Sequence, residues 1–235
     1  SLAQFGAGTD KRHNLRIIQS FAQESANSGA SMLFLPEYSM FYAKTNRRSL
    51  NMQAAEPLDG PFVTALAELA RRHGLWLAAG IYERTEGLPY NTVVVLDDCG
   101  AMRGCHRKQM LYDAFGYRES DECQAGGCAF PTVDTPAGRL GIITCFELRF
   151  PALAAAQRAA GAEVLFVPAG WAVGPNKLLH WRTLLRARAI ENHMTVLGAD
   201  QYAPNRFIGH SAAFAPDGAG LGALETGCGL LNLSI

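Results

Sequence analysis

The sequence has 235 residues, with 21 Lys+Arg against 21 Asp+Glu, 49% hydrophobic and 18% charged. That balance excludes wholesale disorder and argues against a protein held to nucleic acid by its overall field. The length fits a single domain over residues 1–235, and no apolar run approaches the roughly 18 residues that a membrane span needs.

The N-terminal stretch SLAQFGAGTD carries no basic-then-apolar signal segment. The six cysteines contain no CxxC pair, and Cys123/Cys128 stand without a matching second pair. The expectation is a cytoplasmic protein without structural zinc or other metal.

In chain order, Leu15, Ile18, Ala22 and Ala26 recur at three- and four-residue steps, so residues 11–28 read as an amphipathic helix ended by Gly29. Residues 32–35 read as a buried strand closed by Pro36, and residues 61–73 as a helix with Gly74 behind it. Strands are expected over 75–82, 92–98 and 101–107, the last two joined as a hairpin by Asp97-Asp98-Cys99-Gly100. A strand over 139–144 precedes a helix opened by Pro151 and running to about 160. A strand over 163–167, a long helix over 177–192, and strands over 194–199, 208–215 and 230–233 complete the pattern. Helices interleaved with hairpins predict an α/β or α+β sandwich of mixed sheets covered by helices.

Four residues share a setting. Glu37 follows the strand Phe34-Leu35-Pro36, Lys108 follows the strand over 101–107, Cys145 follows Gly141 to Thr144, and Glu119 lies in the loop after Lys108. Strand ends are where layered folds build sites, and charges there are open to partial burial. Each has a bland reading: Cys145 a small buried hydrophobe, Glu37 a capping or surface carboxylate, Lys108 and Glu119 solvated charges. Cys145 is lifted by its place ahead of a helix start, where unpaired N–H groups favour thiolate and oxyanion; the Phe146 N–H is the natural oxyanion donor. No HExxH, HxxxH, GxGxxG or GxxxxGK[ST] motif occurs, which leaves zinc hydrolysis and nucleotide phosphate binding unsupported. His180 and His210 lie downstream of Cys145 without a thiol-protease signature around them.

The blocks LFLPEYSMF at 33–41, HRKQMLYDAF at 106–115 and GIITCFELRFPALA at 141–154, with LLRARAIENH at 184–193 and IGHSAAFAPDG at 208–218, resemble the nitrilase superfamily of carbon–nitrogen hydrolases. The resemblance implies a four-layer α-β-β-α sandwich, commonly a homodimer or higher homo-oligomer. It implies Glu37 as general base, Lys108 as catalytic lysine, Cys145 as nucleophile and Glu119 as the glutamate that supports the lysine. It implies a thioester on Cys145, a small-molecule amide substrate and no cofactor. LYDAF followed by Glu119-Ser120 is similar to the deaminated glutathione amidase branch, whose members hydrolyse the terminal amide of an ω-amide acid. That branch reads CYDLRFPE at the nucleophile; Phe146, Glu147 and Ala152 depart from it here and leave every catalytic group in place.

For binding, Arg149 could meet a substrate carboxylate or make a structural ion pair, and Trp171 could wall the pocket. Tyr112 and Tyr38 are further candidates, while Arg186, Arg188 and Glu191 read as helix-face salt bridges. The leading expectation is an amidase for a small ω-amide acid such as deaminated glutathione. The alternatives are an N-carbamoyl amino acid hydrolase, another aliphatic amidase or nitrilase, and a non-catalytic binding subunit.

Overall fold

The computed structural model describes residues 1–127 and 131–235. The first part of the chain forms β1 (Leu2–Gln4), α1 (Lys11–Asn27), β2 (Met32–Phe34), α2 (Arg47–Ala54), α3 (Pro61–His73), β3 (Trp76–Glu83), β4 (Tyr90–Leu96) and β5 (Met102–Arg107). A short ribbon follows, β6 (Asp113–Ala114) and β7 (Tyr117–Arg118). The remainder forms β8 (Val133–Thr135), β9 (Gly138–Ile142), α4 (Pro151–Ala159), β10 (Val164–Ala169), α5 (Lys177–Asn192) and β11 (Thr195–Asp200). After these come the ribbon β12 (Tyr202–Ala203) and β13 (Phe207–Ile208), then β14 (Ala212–Phe214), β15 (Gly220–Ala223) and β16 (Gly229–Leu231).

Two six-stranded mixed sheets result, in the orders β16-β1-β2-β3-β4-β5 and β15-β14-β11-β10-β9-β8. Each has three adjacent parallel strands, β1-β2-β3 and β9-β10-β11, flanked by antiparallel neighbours. Strands buried on both faces read as continuous apolar runs, as in VLFVPA of β10 and the VVVL of β4.

Three apolar clusters define the layering. Phe34, Ala78, Val93 and Val95 of one sheet meet Ile142, Phe166 and Leu197 of the other, with the Phe34 and Phe166 rings 4.8 Å apart. Ile18, Phe21, Phe62 and Leu66 pack α1 and α3 on the outer face of the first sheet. Trp181, Leu185 and Ala189 pack α5 on the outer face of the second. The order is therefore helix, sheet, sheet, helix. Each fully buried Phe or Leu in these layers contributes about 1.5–3 kcal/mol. No helix among the described residues is long and apolar enough to cross a membrane.

The helix signals act locally as expected. Asp10 accepts the N–H groups of Arg12 and His13 ahead of α1, Pro61 opens α3, and Gly74 closes it at φ +60°. Elsewhere the structure departs from the sequence expectations. The strand expected over 208–215 is two strands, because Gly209 and His210 take φ of +70° and +57° between β13 and β14. The helix expected from Pro151 forms as α4, but the stretch between it and β9, for which no element was expected, is a 3-10 turn, Cys145–Arg149. β1, α2, β8 and β15 were not expected: three are strands of three or four residues, and α2 is a short polar helix whose N-cap Asn46 makes no side-chain bond.

Candidate active site

Glu37 sits where the chain leaves β2. Leu35 N–H still bonds Ala78 in β3, at 2.9 Å, but Tyr38 turns to φ +60°. This tight turn presses on β3 so closely that a Cβ at Gly80 would lie 2.7 Å from Tyr38 N and 2.9 Å from Glu37 Cα. Only glycine fits there. Lys108 follows β5, its N–H bonded to the Asn91 carbonyl at 2.9 Å. Glu119 opens a 3-10 turn behind β7. Cys145 begins the turn after β9 at φ +50°, a left-handed conformation that costs a non-glycine residue about 1–3 kcal/mol and is found where the surroundings enforce it.

The structure brings all four together. Lys108 Nζ lies 2.9 Å from Glu37 Oε1 and 2.8 Å from Glu119 Oε2, and all three groups are buried. Asn91, inside β4, donates to Glu37 Oε1 at 2.7 Å and to Glu119 Oε1 at 3.0 Å. Tyr38 Oη donates to Glu119 Oε1 at 3.2 Å, and Tyr112 N–H to Oε2 at 2.8 Å. Gly170 N–H, at the end of β10, donates to Glu37 Oε2 at 2.7 Å.

A carboxylate offers about four acceptor sites. Glu119 has all four engaged. Glu37 has three engaged, and it lines the same cleft as Cys145.

Electrostatics follow from these contacts. Burial opposes a charged Lys108, but Glu119 and Glu37 outweigh it and hold the ammonium well above the usual lysine range. Burial likewise opposes a charged Glu119, and Lys108 holds it below the usual carboxylate range. Burial first, then the charge of Glu37, push the Cys145 thiol well above its usual range against the pull of Lys108. The resting cysteine is therefore a neutral thiol.

Behind Cys145 lies a third buried carboxylate. Glu147 Oε2 accepts Thr144 N–H at 2.6 Å and meets His106 Nε2 at 2.7 Å. Its Oε1 accepts Gln109 N–H at 2.6 Å and Met110 N–H at 3.3 Å. The residues flanking Lys108 and the residue before Cys145 are thus tied to one side chain. His106 and these N–H groups hold Glu147 below the usual carboxylate range in spite of its burial.

The cleft over Cys145 has a volume of about 730 Å³ and includes Tyr38, Tyr42 and Tyr112 in its lining. Phe146 packs its ring on Tyr112, centroids 5.0 Å apart; as the second residue of a 3-10 turn, it has no partner for its N–H inside that turn. Trp171 is buried, donates Nε1–H to the Lys177 carbonyl at 2.9 Å and borders a small recess beside Cys145 with Arg149. Arg149 lies over the Trp171 ring at 4.9 Å, with Nη2 3.4 Å from His180 Nδ1.

His210 lies 3.1 Å from Glu225, away from the cleft lining. Arg188 does pair with Glu191, at 2.9 Å, but is buried and also donates to the Leu148 carbonyl at 2.8 and 3.2 Å, which fixes the end of the Cys145–Arg149 turn to α5. Arg186 instead lies over Phe214, 5.0 Å from its centroid. Cys99, Cys123 and Cys228 are free thiols, and Cys128 lies outside the described residues.

Sequence reasoning missed Asn91, Gly170, Glu147 and Asp200 as parts of this region. Asn91 carried a signal, a polar residue opening an apolar strand. Asp200, at the end of β11, accepts Trp171 N–H at 2.7 Å through Oδ1, while its buried Oδ2 meets no partner among the described residues. Burial pushes its carboxyl well above the usual range, which favours the protonated form.

A layered α-β-β-α sandwich with cysteine, lysine and glutamate on one cleft defines a class of hydrolase, and comparison with known proteins agrees. The carbon–nitrogen hydrolase family model matches residues 1–228. The deaminated glutathione amidase of Mus musculus is 34% identical, the match covering 98% of this chain and 75% of the relative. The crystal structure of the C. elegans NitFhit protein superposes with a TM-score of 0.87 at 32% identity, covering 95% of this chain and 57% of that one. An amidase from Nesterenkonia sp. AN1, with acrylamide added at its active-site cysteine, gives 0.85 at 26% identity, covering 100% and 91%. The chain belongs to the carbon–nitrogen hydrolase family and is an enzyme of that kind.

Proposed function

We propose that the protein is an amidase that releases ammonia from a small ω-amide acid, such as deaminated glutathione, through a thioester on Cys145. The observation that carries this reading is the one acceptor site left on Glu37, beside a neutral thiol and an ammonium held by two carboxylates. The names of the similar amidases support the choice of bond and of substrate class.

An amide carbonyl is a poor electrophile, so the thiol must lose its proton as it attacks. Glu37 takes that proton while Cys145 Sγ bonds to the amide carbon. The developing oxyanion rests on Lys108 and the Phe146 N–H. The C–N bond then breaks, Glu37 passes its proton to the leaving nitrogen, and ammonia departs from the thioester. Glu37 next accepts a proton from water, the resulting hydroxide adds to the thioester carbon, the C–S bond breaks as sulfur regains its proton, and the acid leaves. Glu119, with its acceptor sites filled, keeps Lys108 charged and placed.

The test is ammonia release from deaminated glutathione, α-ketoglutaramate, simple aliphatic amides, N-carbamoyl amino acids and a nitrile, with Cys145→Ala alongside. Release from the ω-amide acids that disappears in Cys145→Ala is the expected result. Release confined to the carbamoyl compounds would replace this reading with the carbamoyl hydrolase.

A further inference from the structure

Charge in the cleft is one-sided. Lys44, Arg47, Lys177 and Arg206 line it together with Lys108, and Glu37 is the single carboxylate among its described lining residues. Glu37 is engaged by Lys108, and Arg47 is neutralised by Glu122 at 2.6 Å while tyrosine rings surround its guanidinium. Lys177 and Arg206 differ. Lys177 Nζ donates to Tyr112 Oη at 3.3 Å and lies over the Phe115 ring at 4.5 Å. Arg206 Nη1 donates to Tyr42 Oη at 2.9 Å. No carboxylate among the described residues forms an ion pair with either.

The backbone holds both cations at the cleft. Lys177 is the first residue of α5, whose N-cap Asn176 makes no side-chain bond, so free N–H groups add positive potential at that end. Arg206 lies in the turn between β12 and β13, and its carbonyl accepts Val173 N–H at 2.9 Å. Ala172 pairs with Phe207 in the same place. This stitches the Arg206 turn to the loop whose Gly170 bonds Glu37. Both side chains are half-buried, so each has lost part of its hydration without gaining an anion.

We infer that Lys177 and Arg206 form an anion subsite that takes the free carboxylate of the acyl chain whose amide lies at Cys145. This rests on the amidase reading, and it assigns carboxylate recognition to Lys177 and Arg206 rather than to Arg149, whose guanidinium lies on Trp171 at the small recess that Cys145 and Lys177 also line. A linear monoamide of a dicarboxylic acid fits such a site. Its methyl ester keeps the same acyl chain but leaves both cations without a charged partner.

The experiment compares kcat/KM for glutaramate with that for its methyl ester, in the wild type, Lys177→Met and Arg206→Met. The wild type should prefer the acid, and each substitution should lower the acid-to-ester ratio about tenfold or more. Lys177→Glu should shift preference toward 5-aminopentanamide, whose ammonium replaces the carboxylate. A readout without turnover runs alongside: glutarate should protect Cys145 from iodoacetamide in the wild type and protect it poorly in both methionine variants. Hydrolysis with unchanged ratios and unchanged protection would overturn the subsite and leave the amidase standing. Protection lost in the variants, with no amide hydrolysed by the wild type, would uphold the subsite and overturn the amidase reading.

Discussion

Two of the buried carboxylates around Cys145, Glu147 and Glu37, are engaged differently. Glu147 gives four contacts to Thr144, Gln109, Met110 and His106, and has no acceptor site left. Glu37 gives three, to Asn91, Lys108 and Gly170, and lines the cleft. Burial and a cationic or potentially cationic partner are common to both. What separates structure from chemistry here is the unfilled acceptor site and access to a ligand. A saturated carboxylate fixes the chain around it; an unsaturated one can take and return a proton.

The widest separation is expected from Glu37→Gln. Without its base the enzyme should lose about 10²–10⁴-fold in kcat/KM. The same change removes a negative charge beside Cys145, so the thiol should ionise at lower pH. Ammonia release and the pH profile of iodoacetamide alkylation check the two halves: turnover falls while the alkylation profile moves toward acid. Glu147→Ala should reverse the pattern. It leaves a buried histidine and three N–H groups without their acceptor, and should cost about 3–5 kcal/mol of stability in denaturant unfolding. If Glu147→Ala were as stable as wild type, the division between the two carboxylates would fail.

Glu119→Gln should fall between them, with roughly ten- to a hundredfold lower kcat and an alkylatable Cys145. The Lys108 ammonium then depends on Glu37 alone, so activity should decline at a lower alkaline pH than in wild type; wild-type activity across pH would contradict the role given to Glu119.

The smallest effect is expected from Asp200→Asn. The folded-state pKa of Asp200 is raised, so above the unfolded value, near 3.8, folding requires uptake of a proton. Asparagine removes that requirement. The variant should melt a few degrees higher at pH 7, with the gain shrinking as pH falls toward 4, and thermal unfolding across that range measures it.

Much of this arrangement was legible in the sequence because strands that end in a buried site leave a local mark. Glu37 and Cys145 each follow an apolar run, Lys108 follows the returning strand of a hairpin marked by its turn residues, and α1 and α3 follow their hydrophobic periods and their end signals. The residues that complete the site left weaker marks. Asn91 lies 54 positions from Glu37 and meets it only through the order of β2, β3 and β4. Glu147 reads as an ordinary capping glutamate until β5 is laid beside its turn. The break at Gly209 and His210 depends on backbone twist that an apolar run does not reveal. Lys177 and Arg206 are 29 residues apart and share a cleft only because α5 and the β12–β13 turn both abut the loop after β10.

The central claim, that Cys145 carries the acyl group, is tested most directly by acid-quenching the wild-type enzyme during turnover of glutaramate and locating the adduct by peptide mass spectrometry. The account predicts a glutaryl group on the peptide that contains Cys145, absent in Cys145→Ala together with ammonia release. Undiminished ammonia release by Cys145→Ala, or a glutaryl group on another residue, would contradict it.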